Sequence, residues 1–229
     1  MFVDTVSVDA SVVRECHIAV FTGGEGSPPI AVKQALGDAS VVIAADSGLH
    51  LAVEWEQFVH HVVGDMDSVN PALLAQARSL GATVQIHPKA KDRTDFELAL
   101  DEAHRLGATK ITVVGGEGGR LDHLFGAACV LAADRFADLS LQAFMGRSTL
   151  TVVRSHAVLS GMVGEMVGLF ALHGPATGVT TRGLAFALND EALTPGSSRG
   201  VSNRFVQAQA QVRVGDGVLL SVQSGVTEP

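Results

Sequence analysis

The chain has 229 residues, 47 % of them apolar, with a net charge of −8 and a mean hydropathy of +0.30. That much apolar surface builds a real core and excludes a disordered chain. The acidic balance, with no run of Lys or Arg, argues against a nucleic-acid surface, and no apolar run approaches the roughly 20 residues of a spanning helix.

The N-terminus, MFVDTVSVDASVVREC, carries Asp4 and Asp9 and lacks a charged-then-apolar signal pattern. A cytoplasmic protein without membrane association is therefore expected. Cys16 and Cys129 are far apart with no CxxC spacing, and read as free thiols of a reducing compartment. Cys129, in an apolar helix, is expected in the core. Trp55 reads as packing.

In chain order, HIAVFT (17–22) reads as a buried strand closed by Gly23 and Gly24, and IAVKQAL (30–36) as a helix. VVIAAD (41–46) is a strand and SGLHLAVEW (47–55) a helix. HHVVGD (60–65) is a strand; His60 and His61 would face opposite sides and take no role. NPALLAQARSL (70–80) is a helix with Asn70 as N-cap, Pro71 in its first position and Gly81 at its end. ATVQIH (82–87) is a strand. TDFELALDEAHRLG (94–107) is a helix with a Thr94–Glu97 capping box. KITVVGG (110–116), a helix around 121–134 and the strand LQAFMG (141–146) complete this half.

Continuous apolar strands separated by amphipathic helices predict a mostly parallel sheet with helices on both faces. After about residue 147 the segments become short, Val- and Thr-rich and broken by Gly and Pro. Alternation is clear from Val206 to Val214, which predicts antiparallel β-structure in a small sandwich or barrel. The expected division is an α/β domain over 1–146 and a β-sandwich domain over 147–229.

The polar clusters sit at the carboxyl ends of the predicted strands, where ligands bind in such sheets. Asp65 and Asp67 alternate in VVGDMDSV, so in an extended segment both side chains point one way. Two such carboxylates fit a hard divalent cation, or they form an Asx turn with local amides. Around KDRTDFELAL (91–100), Lys89, Lys91 and Arg93 crowd the loop before a helix start, a pattern that suits an anion, with Asp92 or Asp95 as a further metal ligand. As solvated loop charges they would do nothing. In GGEGGRLDHLFG, Arg120 can clamp a phosphate, with Asp122 and His123 in the opening helical turn. The Gly-Lys-Ser/Thr ending of a Walker loop is missing, and neither glycine-rich segment completes G-x-G-x-x-G.

AADSGLHLA (44–52), VVGDMDSV (62–69), KDRTDFELAL (91–100), GGEGGRLDHL (115–124) and VTTRGLAFAL…VSNRF (179–205), in this order, resemble thiamine pyrophosphokinase. The resemblance runs from about Gly23 to Leu220. It implies an α/β domain followed by a β-sandwich, a homodimer, and transfer of a pyrophosphoryl group from ATP to the hydroxyl of thiamine. It implies that Asp65, Asp67 and Asp95 hold magnesium. It places Asp46, Thr94, Arg120 and the catalytic candidate Asp122 around the nucleotide and phosphates, while Lys91 and Arg120 are candidates, on charge alone, to stabilise the transferred group. It implies that Ser202 and Asn203 match the Ser-Asn pair of the thiamine site near the dimer interface. Which aspartate, if any, takes the hydroxyl proton stays open.

The sequence departs from the family pattern at three places. Leu49 follows Asp46-Ser47-Gly48 where Ala is common, which would reshape the pocket rim. Met66 replaces a usual Phe. Phe186 stands where Trp is frequent, and Phe is a weaker partner for a cationic thiazolium. These departures leave open a pyrophosphokinase for another heteroaromatic alcohol, such as a hydroxymethylpterin. A non-catalytic sensor of thiamine diphosphate or nucleotide is the alternative from another class.

Overall fold

The computed structural model describes residues 15–24, 29–118 and 120–224. The first half runs β1 (His17–Phe21), α1 (Pro29–Leu36), β2 (Val41–Ala45), α2 (Gly48–Glu54), β3 (His61–Gly64), α3 (Pro71–Ser79), β4 (Thr83–Ile86), α4 (Asp95–Arg105), β5 (Lys110–Val114), α5 (Leu121–Leu131) and β6 (Ser140–Met145). The second half is all β: β7 (Ser148–Val153), β8 (His156–Ser160), β9 (Met166–Ala171), β10 (Ala176–Arg182), β11 (Glu191–Leu193), β12 (Asn203–Arg204), β13 (Gln209–Arg213) and β14 (Leu219–Gln223).

Local chemistry sets the helix ends. The Asn70 side chain accepts from the Ala72 amide at 2.9 Å, with Pro71 following at the first helical position. Thr94 Oγ1 accepts from the Glu97 amide at 3.2 Å and starts α4. The reciprocal half of the expected capping box is replaced: the Glu97 carboxylate lies 2.8 Å from Arg135 instead.

Six strands pair in parallel in the order β4-β3-β2-β1-β5-β6. Side chains alternate across this sheet, so β1 sends Ile18 and Val20 into one core and Ala19 and Phe21 into the other. The first core packs against α4 through Phe96, Leu98, Leu100 and Ala103; the second packs against α1, α2 and α3 through Val32, Leu51 and Ala77. The strand order changes direction at β1, between β2 and β5. This is the switch point at which helices leave to opposite faces and a crevice opens beyond the carboxyl ends.

The sheet does not stop where the sequence texture changes. β6 turns through Gly146 and Arg147 into β7, pairing antiparallel from Met145↔Ser148 onward. Strands β14, β9 and β12 then extend the same sheet, giving ten strands among the described residues. The expected boundary at 146/147 thus falls in a hairpin turn inside one continuous sheet. A second sheet, β11-β10-β13-β8, covers one face of this antiparallel extension. Val153, Leu169 and Leu219 from the large sheet meet Leu159, Val179 and Val212 from the small one, forming the sandwich core.

Several expectations are corrected. Cys129 is exposed rather than in the core, because its side of α5 looks onto the uncovered face of the extended sheet. Both described cysteines are free. Leu49 is fully buried in the core beneath α2 and reaches no pocket rim at the acidic strand ends. The predicted strand over 206–214 is shorter. Ala210, Val212 and Val214 are buried in alternation, whereas Val206 lies exposed before β13 begins. No helix among the described residues is long and apolar enough to cross a membrane.

Gly48 lies where α2 meets β1, and a Cβ there would sit 2.2 Å from the Phe21 carbonyl oxygen. Gly48→Ala should therefore destabilise the fold by about 1–3 kcal/mol, read as a lower urea midpoint with unchanged m-value. Glu102 is buried and takes a paired contact from Arg105, with both nitrogens at 2.7 Å. The Arg105 guanidinium holds its carboxyl below the ordinary 4.5, against the opposing effect of burial. A depressed carboxyl contributes stability above its unfolded value and loses it as pH falls through the folded one. Unfolding free energy should accordingly decline as pH falls below 4.5, and less steeply in Glu102→Gln, measured by denaturant titration across acid pH.

Candidate active site

A cleft of about 610 Å³ opens beyond the carboxyl ends of the parallel strands. It is lined by Thr22 and Gly23 after β1, Asp46 and Ser47 after β2, Asp65 and Asp67 after β3, and Gly116 after β5. Lys89, Lys91, Arg93, Thr94 and Asp95 close one side, and Arg120 and His123 the other.

Asp46, Asp65 and Asp67 each place a carboxylate oxygen within 4.8 Å of the others. The geometry that gathers them differs from the extended segment expected from sequence. Met66 takes a left-handed φ of 64°, so a turn rather than strand alternation brings Asp65 and Asp67 together. Asp46 also takes a positive φ, 46°, at the sharp exit from β2. Gly64 makes room between neighbours: a Cβ there would lie 3.1 Å from both the Asp46 Cβ and the Asp95 carboxyl carbon.

Both sequence readings of Asp65 and Asp67 have a counterpart. The Asp67 amide donates to Asp65 Oδ1 at 3.1 Å, and the Ser68 hydroxyl donates to Asp67 Oδ1 at 2.8 Å. These are the local bonds of an Asx turn. The second oxygens face cations: Asp65 Oδ2 lies 2.8 Å from Lys91 Nζ, and Asp67 Oδ2 lies 3.2 Å from Lys89 Nζ. Lys91 Nζ also lies 3.0 Å from Asp95 Oδ1. Lys91 and Asp65 are largely buried, whereas the Lys89–Asp67 pair is exposed and contributes little.

The charges are perturbed accordingly. Burial pushes the Asp46 carboxyl up, against a bond from the Ser47 amide; the neighbouring Asp95, Asp65 and Asp67 push it further up. The Lys91 ammonium holds Asp65 below its ordinary value. Burial lowers Lys91 itself, but its bonds to Asp65 and Asp95 outweigh that and raise it.

Asp46 Oδ1 is buried with no donor, and Asp95 Oδ1 has no aligned hydrogen bond although Nζ is near. Four carboxylates against the ammonium groups of Lys89 and Lys91 leave two negative charges to balance. An all-oxygen donor set with an orphaned buried acceptor fits a hard divalent cation such as magnesium.

The remaining residues divide. Thr94 caps α4 and lines the cleft. Arg120 lines it too, with its guanidinium on Asp122 at 2.6 and 3.2 Å. Arg93 is paired with Asp101 at 2.7 Å. Phe186, Ser202 and Asn203 do not line this cleft. They lie beside β12, at the far edge of the ten-stranded sheet. Five strand steps separate β12 from β5, about 24 Å at about 4.8 Å per step. Asn203 is buried; its Oδ1 accepts from the amides of Phe186 at 3.0 Å and Arg204 at 2.9 Å, and its Nδ2 donates to the Phe186 carbonyl at 2.8 Å. Asn203 therefore fixes the backbone that presents Phe186, a residue 63 % exposed. Ser202 is exposed at a left-handed φ of 60°.

Sequence reasoning placed Asp46 with the nucleotide rather than with the acidic group. Its place follows from strand pairing, which no local motif signals: β2 and β3 pair in parallel with Ala45 opposite Val63, so Asp46 ends its strand beside Gly64 and Asp65. Lys89 as the partner of Asp67 had no local signal either.

Comparisons with known proteins agree with this architecture. The family model "Thiamin pyrophosphokinase, catalytic domain" matches residues 32–142, and "Thiamin pyrophosphokinase, vitamin B1 binding domain" matches residues 150–219. A thiamine pyrophosphokinase of Bacillus subtilis (strain 168) is 21 % identical over 163 residues, covering 70 % of this chain and 76 % of the relative. Thiamine pyrophosphokinase 2 of Oryza sativa subsp. japonica is 26 % identical over 170 residues, covering 69 % of this chain and 62 % of its own length. The crystal structure of a Bacillus subtilis thiamine pyrophosphokinase superposes with a TM-score of 0.79 at 19 % identity, covering 92 % of this chain and all of that one. The yeast thiamin pyrophosphokinase structure superposes at 0.71 with 14 % identity, covering 92 % of this chain and 86 % of its own. With the catalytic-domain and vitamin-binding models matched in succession on one chain, this protein belongs to the thiamin pyrophosphokinase family.

Proposed function

We propose that this chain is a magnesium-dependent enzyme that transfers a pyrophosphoryl group from ATP to the hydroxyl of thiamine, giving thiamine diphosphate and AMP. The observation that carries the reading is the meeting of Asp46, Asp65 and Asp67 at the switch point of the sheet, ringed by Lys89, Lys91 and Arg120. Magnesium held by Asp46, Asp65 and Asp67, with Asp95 at the margin, would neutralise triphosphate oxygens. Phosphoryl transfer asks little covalent help from protein; it asks for positioning and charge compensation.

The chain's own groups fit those demands. Thr94 and the first amides of α4 border the cleft and suit phosphate oxygens. Lys91 and Arg120 are the cations available to the charge that spreads over the transferred group. The alcohol attacks the β-phosphorus in line and its proton passes to a cleft carboxylate. Phe186, held by Asn203, offers an exposed ring face to the cationic thiazolium. In this reading residues 1–146 handle the nucleotide and residues 147–229 handle thiamine, and the enzyme works as a cytoplasmic homodimer.

The separation of β12 from β5 supports the homodimer. One thiamine cannot touch Phe186 and the cleft of the same chain across that span, so the alcohol reaches the phosphates of the partner subunit. The exposed apolar groove of about 340 Å³ that includes Leu121 and Phe125 is a surface a second copy would cover.

Purified protein given ATP, magnesium and thiamine should release AMP and thiamine diphosphate. Asp67→Asn should lower turnover by about 100-fold or more while circular dichroism stays unchanged. Retained turnover would remove Asp67 from the chemistry. Mixing two inactive variants, Asp67→Asn and Phe186→Ala, should restore up to about a quarter of wild-type activity if each site is shared between subunits. No recovery after subunit exchange would place both halves of the site in one chain.

A further inference from the structure

Lys91 occupies an unusual place for a residue that is to bind phosphate. Its ammonium sits between Asp65 Oδ2 at 2.8 Å and Asp95 Oδ1 at 3.0 Å, with its side chain only 14 % exposed. It stands where a second cation would have to come: Asp65 also belongs to the acidic group formed with Asp46 and Asp67. A dication entering that group would share the Asp65 carboxylate with a largely buried positive charge. Asp65 Oδ1 already accepts from the Asp67 amide and Oδ2 from Lys91, so a newcomer would have to share an engaged oxygen. Across the cleft the counter-charge is smaller. Arg120 is neutralised by Asp122, and the Lys89–Asp67 pair is open to solvent.

We propose that Lys91 is a built-in counter-ion that holds Asp65 and Asp95 together before nucleotide binds and keeps free divalent metal out. The inference rests on reading the cleft as a metal and polyphosphate site. A triphosphate supplies oxygens that draw the ammonium away from the carboxylates, and Asp65 then becomes available to the metal. The ligand that the site selects is the metal–nucleoside triphosphate complex, rather than metal first and nucleotide second. Lys91 acts here as a positioning residue, because it sets when the carboxylates are free.

The test is binding of Mn²⁺ alone, with free Mn²⁺ followed by electron paramagnetic resonance, to wild type, Lys91→Met, Lys91→Gln and Lys91→Arg. The neutral variants should bind Mn²⁺ roughly tenfold tighter or more, because the opposing charge is gone, while Lys91→Arg stays near wild type. A merely structural lysine would give looser binding on removal. Adding a non-hydrolysable ATP analogue should raise the Mn²⁺ affinity of wild type more than that of Lys91→Met. Affinity in both neutral variants equal to or below wild type, with unchanged circular dichroism, overturns the proposal. If both neutral variants fail to fold, wild type decides: Mn²⁺ affinity indifferent to the analogue overturns it as well. Release of AMP by wild type is assayed beside these titrations. No AMP together with the Lys91 effect sinks the pyrophosphokinase reading alone; AMP without the Lys91 effect sinks the counter-ion alone.

Discussion

The repulsion among carboxylates at one end of a parallel sheet is the constraint on which the site depends. Asp46, Asp65, Asp67 and Asp95 come from the ends of β2 and β3 and the start of α4, and the fold brings them together against their mutual charge. The cost is visible in the backbone and in the proton affinities. Asp46 and Met66 are held at left-handed φ, Gly64 has no side chain because one would press on two aspartates, and the Asp46 carboxyl is pushed upward. A fold that needed only stability would gain nothing from this arrangement. Lys91 and Lys89 compensate half of the charge, and the remaining two negative charges are what a dication would offset under the proposed function.

The sheet explains why this cluster can be built at all. Strands β1, β2 and β3 pair in parallel and in register, so their carboxyl ends finish side by side. Continuing the same sheet through β7, β14 and β9 gives the second half a rigid connection to the first, without a flexible linker. The distance between Phe186 and the acidic cleft is thereby fixed by strand spacing. Rigidity of this kind suits a reaction that depends on positioning.

Much of this was legible in the sequence, for physical reasons that differ from element to element. The alternation of apolar runs and capped helices over residues 17–146 follows from burial on both sheet faces, and Asn70, Pro71 and Thr94 mark helix starts through bonds the structure makes. The acidic and glycine-rich strand ends were visible as local composition. What depended on strand pairing was not. Asp46 joins the acidic group because β2 lies beside β3, and Lys91 reaches Asp65 across 26 residues of sequence while also pairing with Asp95. Leu49 looked like a rim residue from its motif, yet α2 turns it into the core. Cys129 looked buried because its helix is apolar, but that helix keeps one apolar side uncovered. The shift to short strands after residue 147 did not reveal that the sheet runs on across it, because a hairpin that extends an existing sheet has the same local texture as one that starts a new one.

The most direct measurement is a crystal structure with Mn²⁺ and a non-hydrolysable ATP analogue, with the metal placed by its anomalous signal. A metal peak is expected among Asp46, Asp65 and Asp67, with phosphate oxygens beside it and Lys91 withdrawn from Asp65 toward those phosphates. A nucleotide bound elsewhere, with Asp65 and Asp67 bonded only to local amides and no ion between them, would contradict it.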